Sequence, residues 1–343
     1  MSGAVASEVA GPLIALRADA GGLRGSGHVM RCLALARAWI ARGGRATLLS
    51  AELPEALAAR AEAWGVDVRR IAAPAASIED AAQTAALAAD ASWLAIDGYD
   101  FSTAFLAAAG PTRRVVIDDV AALDAYPVDV VINQNAHASA AAYARSAPGA
   151  RLLLGGRYAL LRPEFAAPPT RERAGIFATF GGVDPHGASE TFLAACAGRA
   201  DVSLAIGAAN ARADALAAEA SRCGVAAHRD VKDMAAAFAG AALVVTAGGS
   251  TLWEACACAA PMIVISVIPE EAASAQALAA QGGCVYLGPL DRMSPRLIGE
   301  AIDALMRDDA RRAALGAAAR AMVDGRGADR VAAALMAHAE TPC

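Results

Sequence analysis

Short apolar runs rich in valine, isoleucine and leucine alternate along this chain with longer, alanine-rich stretches whose apolar positions recur at helical spacing. The runs predict strands over 13–17, 46–50, 66–71, 93–97, 114–118 and 129–133 in the first half. A second series falls at 175–180, 202–207, 243–246, 262–267 and 284–287. Val115, Val116 and Ile117 place β-branched residues side by side between helical stretches, which predicts a parallel sheet covered on both faces. Pro168 and Pro169 interrupt any helix near 166–173, where one series stops and the next begins. Two doubly wound α/β domains facing a cleft are therefore expected in the 343 residues: 12–167, then 168–325, with a final helix over 326–343 packing back across them.

The segment from Arg17 to Ala36 carries the densest chemistry. A strand ends at Arg17, a loop follows with Gly21, Gly22, Gly25 and Gly27, and a helix begins whose Val29, Cys32, Leu33 and Ala36 keep one face. His28 thus stands where a glycine-rich turn becomes a helix at the carboxyl end of a strand, the place where open α/β sheets bind ligands. The free N–H groups of the helix favour anions and disfavour imidazolium, so a neutral, proton-accepting histidine is one reading. A helix cap or anion ligand is the other.

Three later strand ends carry polar groups: Asp97-Gly98-Tyr99, Asp118-Asp119 and Asn133-Gln134-Asn135. They read as one rim of a site. Adjacent strand residues point oppositely, so at most one of Asp118 and Asp119 reaches a given ligand. Hydrogen bonds to sugar hydroxyls or loop backbone suit them.

In the second half the turn G-G-V-D-P-H-G, with Gly181, Gly182 and Asp184, repeats the strand-to-helix design. L-V-V-T-A-G-G-S-T-L-W-E-A then runs a strand into Gly248 and Gly249 before Ser250 and Thr251 open a helix. Hydroxyls and helix N–H groups there can cradle a diphosphate without a metal. Glu254, a turn later, can accept from both ribose hydroxyls, or it can close a capping box. His137, His186, His228 and His338 lack companions, although His186 lies beside Asp184.

Composition narrows the classes. The chain is 57% hydrophobic with a net charge of −5, and no basic run is interleaved with aromatics, so nucleic acid is not an expected partner. No apolar run reaches the roughly 20 residues of a spanning helix; 255–268 is broken by Pro261 and Ser266 and reads as helix end, turn and strand. The seven cysteines lack C-x-x-C spacing and are expected as core thiols. No signal segment is evident, and a cytoplasmic location with no membrane contact is expected.

In order and spacing, R-A-D-A…G-S-G-H-V-M-R, D-G-Y, I-D-D, N-Q-N-A, G-G-R-Y-A-L-L-R-P-E-F, F-G-G-V-D and G-G-S-T-L-W-E resemble the bacterial UDP-sugar hydrolases of pseudaminic acid biosynthesis. These are relatives of MurG-type glycosyltransferases with the two-domain GT-B fold. The resemblance spans Leu13 to about Val323. It implies cleavage of UDP-2,4-diacetamido-2,4,6-trideoxy-β-L-altropyranose, with His28 as the base that activates water and inversion at the anomeric carbon. It implies a sugar side formed by Arg17, Asp19, Gly25, Gly27, Asp97, Tyr99, Asn135, Tyr158 and Arg162. The nucleotide side would be Gly181, Gly182, Asp184, Val231, Gly249, Ser250, Thr251, Glu254 and Glu271. No cofactor or metal is implied, the partner is the UDP-sugar alone, and a monomer is expected. Glu270-Glu271 departs from the family's usual Asn-Gln; a carboxylate only accepts and is repelled by a diphosphate. A glycosyltransferase of the same fold, a UDP-sugar 2-epimerase and a non-catalytic UDP-sugar binder remain as alternatives.

Overall fold

The computed structural model describes residues 11–21, 25–110, 112–229 and 231–339. Gly22 and Arg24 of the first glycine loop lie outside these residues. The first half runs β1 (Leu13–Ala18), α1 (Gly27–Ile40), β2 (Arg45–Ser50), α2 (Glu55–Ala63), β3 (Asp67–Arg70), α3 (Ile78–Leu87), β4 (Trp93–Asp97), α4 (Thr103–Ala108), β5 (Arg114–Ile117), β6 (Val130–Asn133), α5 (Ala140–Tyr143) and β7 (Arg151–Leu154). After a stretch without helix or strand over 166–173, the second half runs β8 (Ala174–Thr179), α6 (Ala188–Cys196), β9 (Val202–Ile206), α7 (Ala213–Cys223), β10 (Ala226–Arg229), α8 (Met234–Gly240) and β11 (Ala241–Ala247). It continues with α9 (Ser250–Ala257), β12 (Met262–Ser266), α10 (Pro269–Ala280), β13 (Val285–Pro289), α11 (Pro295–Met306), α12 (Asp309–Met322) and α13 (Gly327–Ala339).

Among the described residues every strand pairing is parallel, in two sheets. The first is ordered β3-β2-β1-β4-β5-β6-β7 and the second β10-β9-β8-β11-β12-β13. The expected doubly wound architecture is present in both halves. Two strands went unread in the sequence, β7 and β10. Both are four-residue edge strands, and β10 exposes three of its four residues, so neither required the apolar run that marks a buried strand.

The predicted face of α1 is buried: Val29, Cys32, Leu33 and Ala36 are fully excluded from solvent. They share a core with Ile14, Leu16, Trp93 and Ala95 from the sheet. Val331, Ala332 and Leu335 of α13 belong to the same core, and Trp93 Nε1 donates to the Leu335 carbonyl at 3.0 Å. The C-terminal helix thus packs on the first sheet. The region 255–268 is helix end, turn and buried strand, and no helix among the described residues is long and apolar enough to cross a membrane. Among the described residues six cysteines are free, five of them buried.

Strand order reverses between β1 and β4 in one sheet and between β8 and β11 in the other. At such a switch point the flanking loops diverge and leave a crevice at the carboxyl ends of the strands. The His28 turn follows β1 and Asp97 ends β4; the Gly181 turn follows β8 and the Gly248 turn follows β11. Topology therefore sets all four segments at the two switch points.

Candidate active site at the interdomain cleft

The two crevices meet. A Cβ on Gly27 would lie 3.6 Å from Ser250 Oγ, and one on Gly182 would lie 3.6 Å from Ser26 Oγ. Further along the cleft, Arg162 Nη2 donates to Glu254 at 3.1 Å and His137 Nδ1 lies 3.2 Å from Ser274 Oγ.

His28 is the second residue of α1. Its Nδ1 lies 2.7 Å from Asp97 Oδ1, because β1 and β4 are neighbours in register, with Ala18 opposite Asp97. A carboxylate accepting from Nδ1–H fixes the tautomer with the Nε2 lone pair outward. Nε2 makes no hydrogen bond to the described residues, and the side chain keeps 12% of its surface exposed. Tyr99 stands edge-on to the imidazole, ring centroids 4.8 Å apart, and is itself 54% exposed.

Beneath them, Arg31 grips two carboxylates. Its Nε and Nη2 donate to Asp97 at 2.9 and 2.6 Å, and its Nη1 to both oxygens of Asp119 at 2.8 Å. Asp119 also accepts from Tyr99 OH at 3.0 Å and Asn135 Nδ2 at 2.8 Å. Burial works against these charges, but Asp119 and Asp97 outweigh it at Arg31 and hold the guanidinium charged. Arg31 in turn keeps Asp119 below the usual carboxylate range despite its burial. Burial and the neighbouring Asp119 raise the Tyr99 phenol, so it stays a donor. Arg31 is a site residue that the sequence patterns above did not single out. Its i, i+3 spacing from His28 was the available signal.

Asp118 turns the other way, as its neighbour's orientation required. It accepts from the backbone N–H groups of Val120 and Ala121 and from the hydroxyls of Tyr126 and Tyr143. Gln134 Oε1 accepts from the Leu160 N–H.

Arg17 and Asp19 sit inside the first domain. Arg17 is fully buried and spends its donors on Asp19 and Asp80. Asp19 accepts in addition from Ser50 Oγ and the Ala51 and Glu52 N–H groups. They hold the loop base, and Arg17 is shut away from solvent. Gly25 supplies a left-handed turn at φ +67°. Tyr158 packs partly buried against the first core, with Arg157 over its ring at 5.3 Å.

On the opposite wall, Gly249 is the N-cap of α9, and Ser250 and Thr251 are its first residues, without a side-chain cap bond. Glu254 makes no capping box; it pairs with Arg162, which stacks on Phe165 at 5.0 Å. Burial raises the Glu254 carboxyl, against the pull of Arg162. Asp184, at φ +44°, caps α6 by accepting from the Ala188 and Ser189 N–H groups at 3.0 and 2.9 Å, and His186 lies exposed in the same turn. Gly181 and Gly182 form the turn itself. Val231 lies partly buried against the second core.

Glu271 takes an inward position. It accepts from the Val267 N–H at 2.8 Å and from the backbone of Gly248 and Ile268. A Cβ on Gly248 would come within 2.7 Å of Glu271 Cβ, so only glycine admits this approach. Burial raises this carboxyl above its ordinary range. The exposed Glu270 is not drawn in.

No protein-family model and no curated protein sequence matches the chain. Solved structures do. MurG of Acinetobacter baumannii is similar at a TM-score of 0.67 and 14% identity, covering 95% of this chain and 99% of its own. HepE of Anabaena, solved in complex with UDP-glucose, is similar at 0.64 and 14%, covering 95% and 99%. A Listeria monocytogenes protein assigned as a UDP-N-acetylglucosamine 2-epimerase is similar at 0.62 and 15%, covering 97% and 98%. Likeness at these identities, over almost entire chains, defines the fold alone: it is of the GT-B type, two doubly wound domains around a cleft.

Proposed function

We propose that this protein hydrolyses a UDP-linked sugar, and that the sugar is the 2,4-diacetamido-2,4,6-trideoxy-L-altrose of pseudaminic acid biosynthesis. The observation that carries a base-catalysed reading is the His28–Asp97 pair at the glycine turn. It leaves Nε2 turned outward beside Tyr99, opposite the start of α9. The solved complex of HepE with UDP-glucose supports a UDP-sugar as the ligand class of such a cleft.

In this reading Ser250, Thr251 and the N–H groups that open α9 seat the diphosphate. Arg162 and Glu254 stand beside it for the ribose and the sugar. Tyr99 gives the sugar a face to lie on, and Asn135, whose Nδ2 is held by Asp119, offers its carbonyl to a hydroxyl or acetamido N–H. Water approaches the anomeric carbon from the His28 side. Nε2 takes its proton as the oxygen bonds to carbon. The bond from carbon to the β-phosphate oxygen breaks, and its electron pair leaves with UDP, eased by the helix N-terminus. Attack opposite the leaving group inverts the centre.

A glycosyltransferase remains the second reading, because MurG and other glycosyltransferases share the fold. A 2-epimerase would need carboxylates free for proton transfer, whereas Asp97 and Asp119 are both engaged by Arg31.

The test is UDP release from the diacetamido-trideoxy-altrose nucleotide, with UDP-N-acetylglucosamine as control and EDTA present. Release by the parent should fall about 10²- to 10⁴-fold in His28→Ala, with UDP affinity retained. No release by a parent that binds UDP rejects the hydrolase and leaves the acceptor-dependent transferase.

A further inference from the structure

Arg31 is 6% exposed and makes contacts that a merely charge-balancing residue would not need. Its guanidinium is bidentate to Asp97 through Nε and Nη2, and Nη1 spans both oxygens of Asp119. Each carboxylate then holds a different part of the site. Asp97 Oδ1 takes the His28 ring, and Asp119 takes Tyr99 OH and Asn135 Nδ2. The 3.0 Å approach of Arg31 Nη2 to His28 Nδ1 follows from both donors converging on the same Asp97 oxygen.

We propose that Arg31 is the positioning residue of the site, a single planar fork that fixes the His28 tautomer through Asp97 and the Tyr99 and Asn135 side chains through Asp119. The fork geometry is the physical requirement. A lysine ammonium is a point donor and cannot hold two carboxylates bidentately at once, although it keeps the charge. With Asp97 free to rotate, its oxygen leaves Nδ1 and the ring loses the constraint on its tautomer. The free imidazole of histidine prefers the proton on Nε2, the wrong atom for a base facing the cleft.

The structural part of this inference stands on the contacts alone, and its kinetic part rests on the hydrolase reading. The full chain, labelled with ¹⁵N at its five histidines, reports the neutral His28 tautomer by nitrogen chemical shift; the signal is assigned by its loss in His28→Gln. The parent should show a single Nδ1–H form. Arg31→Lys should show a mixture of tautomers, a fall in UDP release of about 10- to 100-fold in kcat, and unchanged affinity for UDP. A folded Arg31→Lys whose ring stays wholly Nδ1–H overturns the proposal, whatever its rate. Should that variant fail to fold, Arg31→Met/Asp119→Asn removes the fork together with one of the charges it balances, and its tautomer is read in the same way. If the parent releases no UDP from any UDP-sugar, the hydrolase reading falls and the tautomer still decides the inference.

Discussion

His28 Nε2 is the atom on which the proposed chemistry turns, and its surroundings show how few residues prepare it. One carboxylate orients the ring, one guanidinium orients the carboxylate, and one phenol borders the space in front. On the wall proposed for the nucleotide, one carboxylate stands where it works against an anion. Glu271 brings a carboxylate to the G-G turn beside the start of α9, where a diphosphate would be repelled. Glu271→Gln should therefore tighten UDP binding about three- to tenfold, read by titration calorimetry. Because burial raises this carboxyl, the parent sheds the repulsion as pH falls and Glu271 takes up its proton. The gap between parent and variant should then narrow toward acid pH. Equal affinities at neutral pH would show that Glu271 is only a strut for the start of α10.

At the scale of elements, the Arg17–Asp19–Asp80 knot ties β1 to α3. Asp80 accepts from Arg17, from the Ala76 N–H and from Thr84 Oγ1, and is itself fully buried. Removing Asp80 leaves Arg17 paired with Asp19 but strips the Arg17 Nε–H, the Ala76 N–H and the Thr84 hydroxyl of their acceptor in the interior, so Asp80→Ala should lose about 3 kcal/mol of urea stability. The knot also sets an acid limit. Burial alone would raise Asp19, but Arg17 and the Glu52 and Ala51 N–H groups bring it below its ordinary 3.8. A carboxylate depressed in the folded state stabilises fully above its unfolded value, and loses that contribution as pH falls through the folded one. Asp119, held down by Arg31, has the same sign. Urea midpoints should be flat near neutrality and fall below about pH 4.

For the whole molecule, the question is whether the cleft works by closing. Among the described residues, Arg162 pairs with Glu254 and His137 meets Ser274 across it, while Ser26 and Ser250 stand near Gly182 and Gly27. The salt bridge keeps partial exposure, so these polar contacts are individually weak, and the apolar join between the halves lies at Ala159, Leu161 and Phe165. A ligand that touches both walls can therefore shift the balance toward the closed form. Small-angle scattering should show a smaller radius of gyration at saturating UDP; identical profiles would argue against a large closure.

Much of this was legible along the chain because its signals are local. Val115-Val116-Ile117, the glycine turns and the Pro168-Pro169 break report backbone preference and one-dimensional periodicity, and these determine strands, helices and the doubly wound class. His28 at a strand-to-helix turn was visible on the same grounds, as was the divergence of Asp118 and Asp119. The short edges β7 and β10 escaped because an edge strand is held by its neighbour's hydrogen bonds and needs little apolar sequence. The partnership of His28 with Asp97 was decided by β1 lying next to β4, a contact 69 residues apart. Tertiary packing likewise turned Arg17 inward onto Asp80, 63 residues away, and gathered Asp97 and Asp119 around Arg31. The sequence by itself determined which elements form and which side chains stand at their ends. Only the fold decided which of those ends meet, because burial in a shared, low-dielectric space is what makes distant charges choose partners.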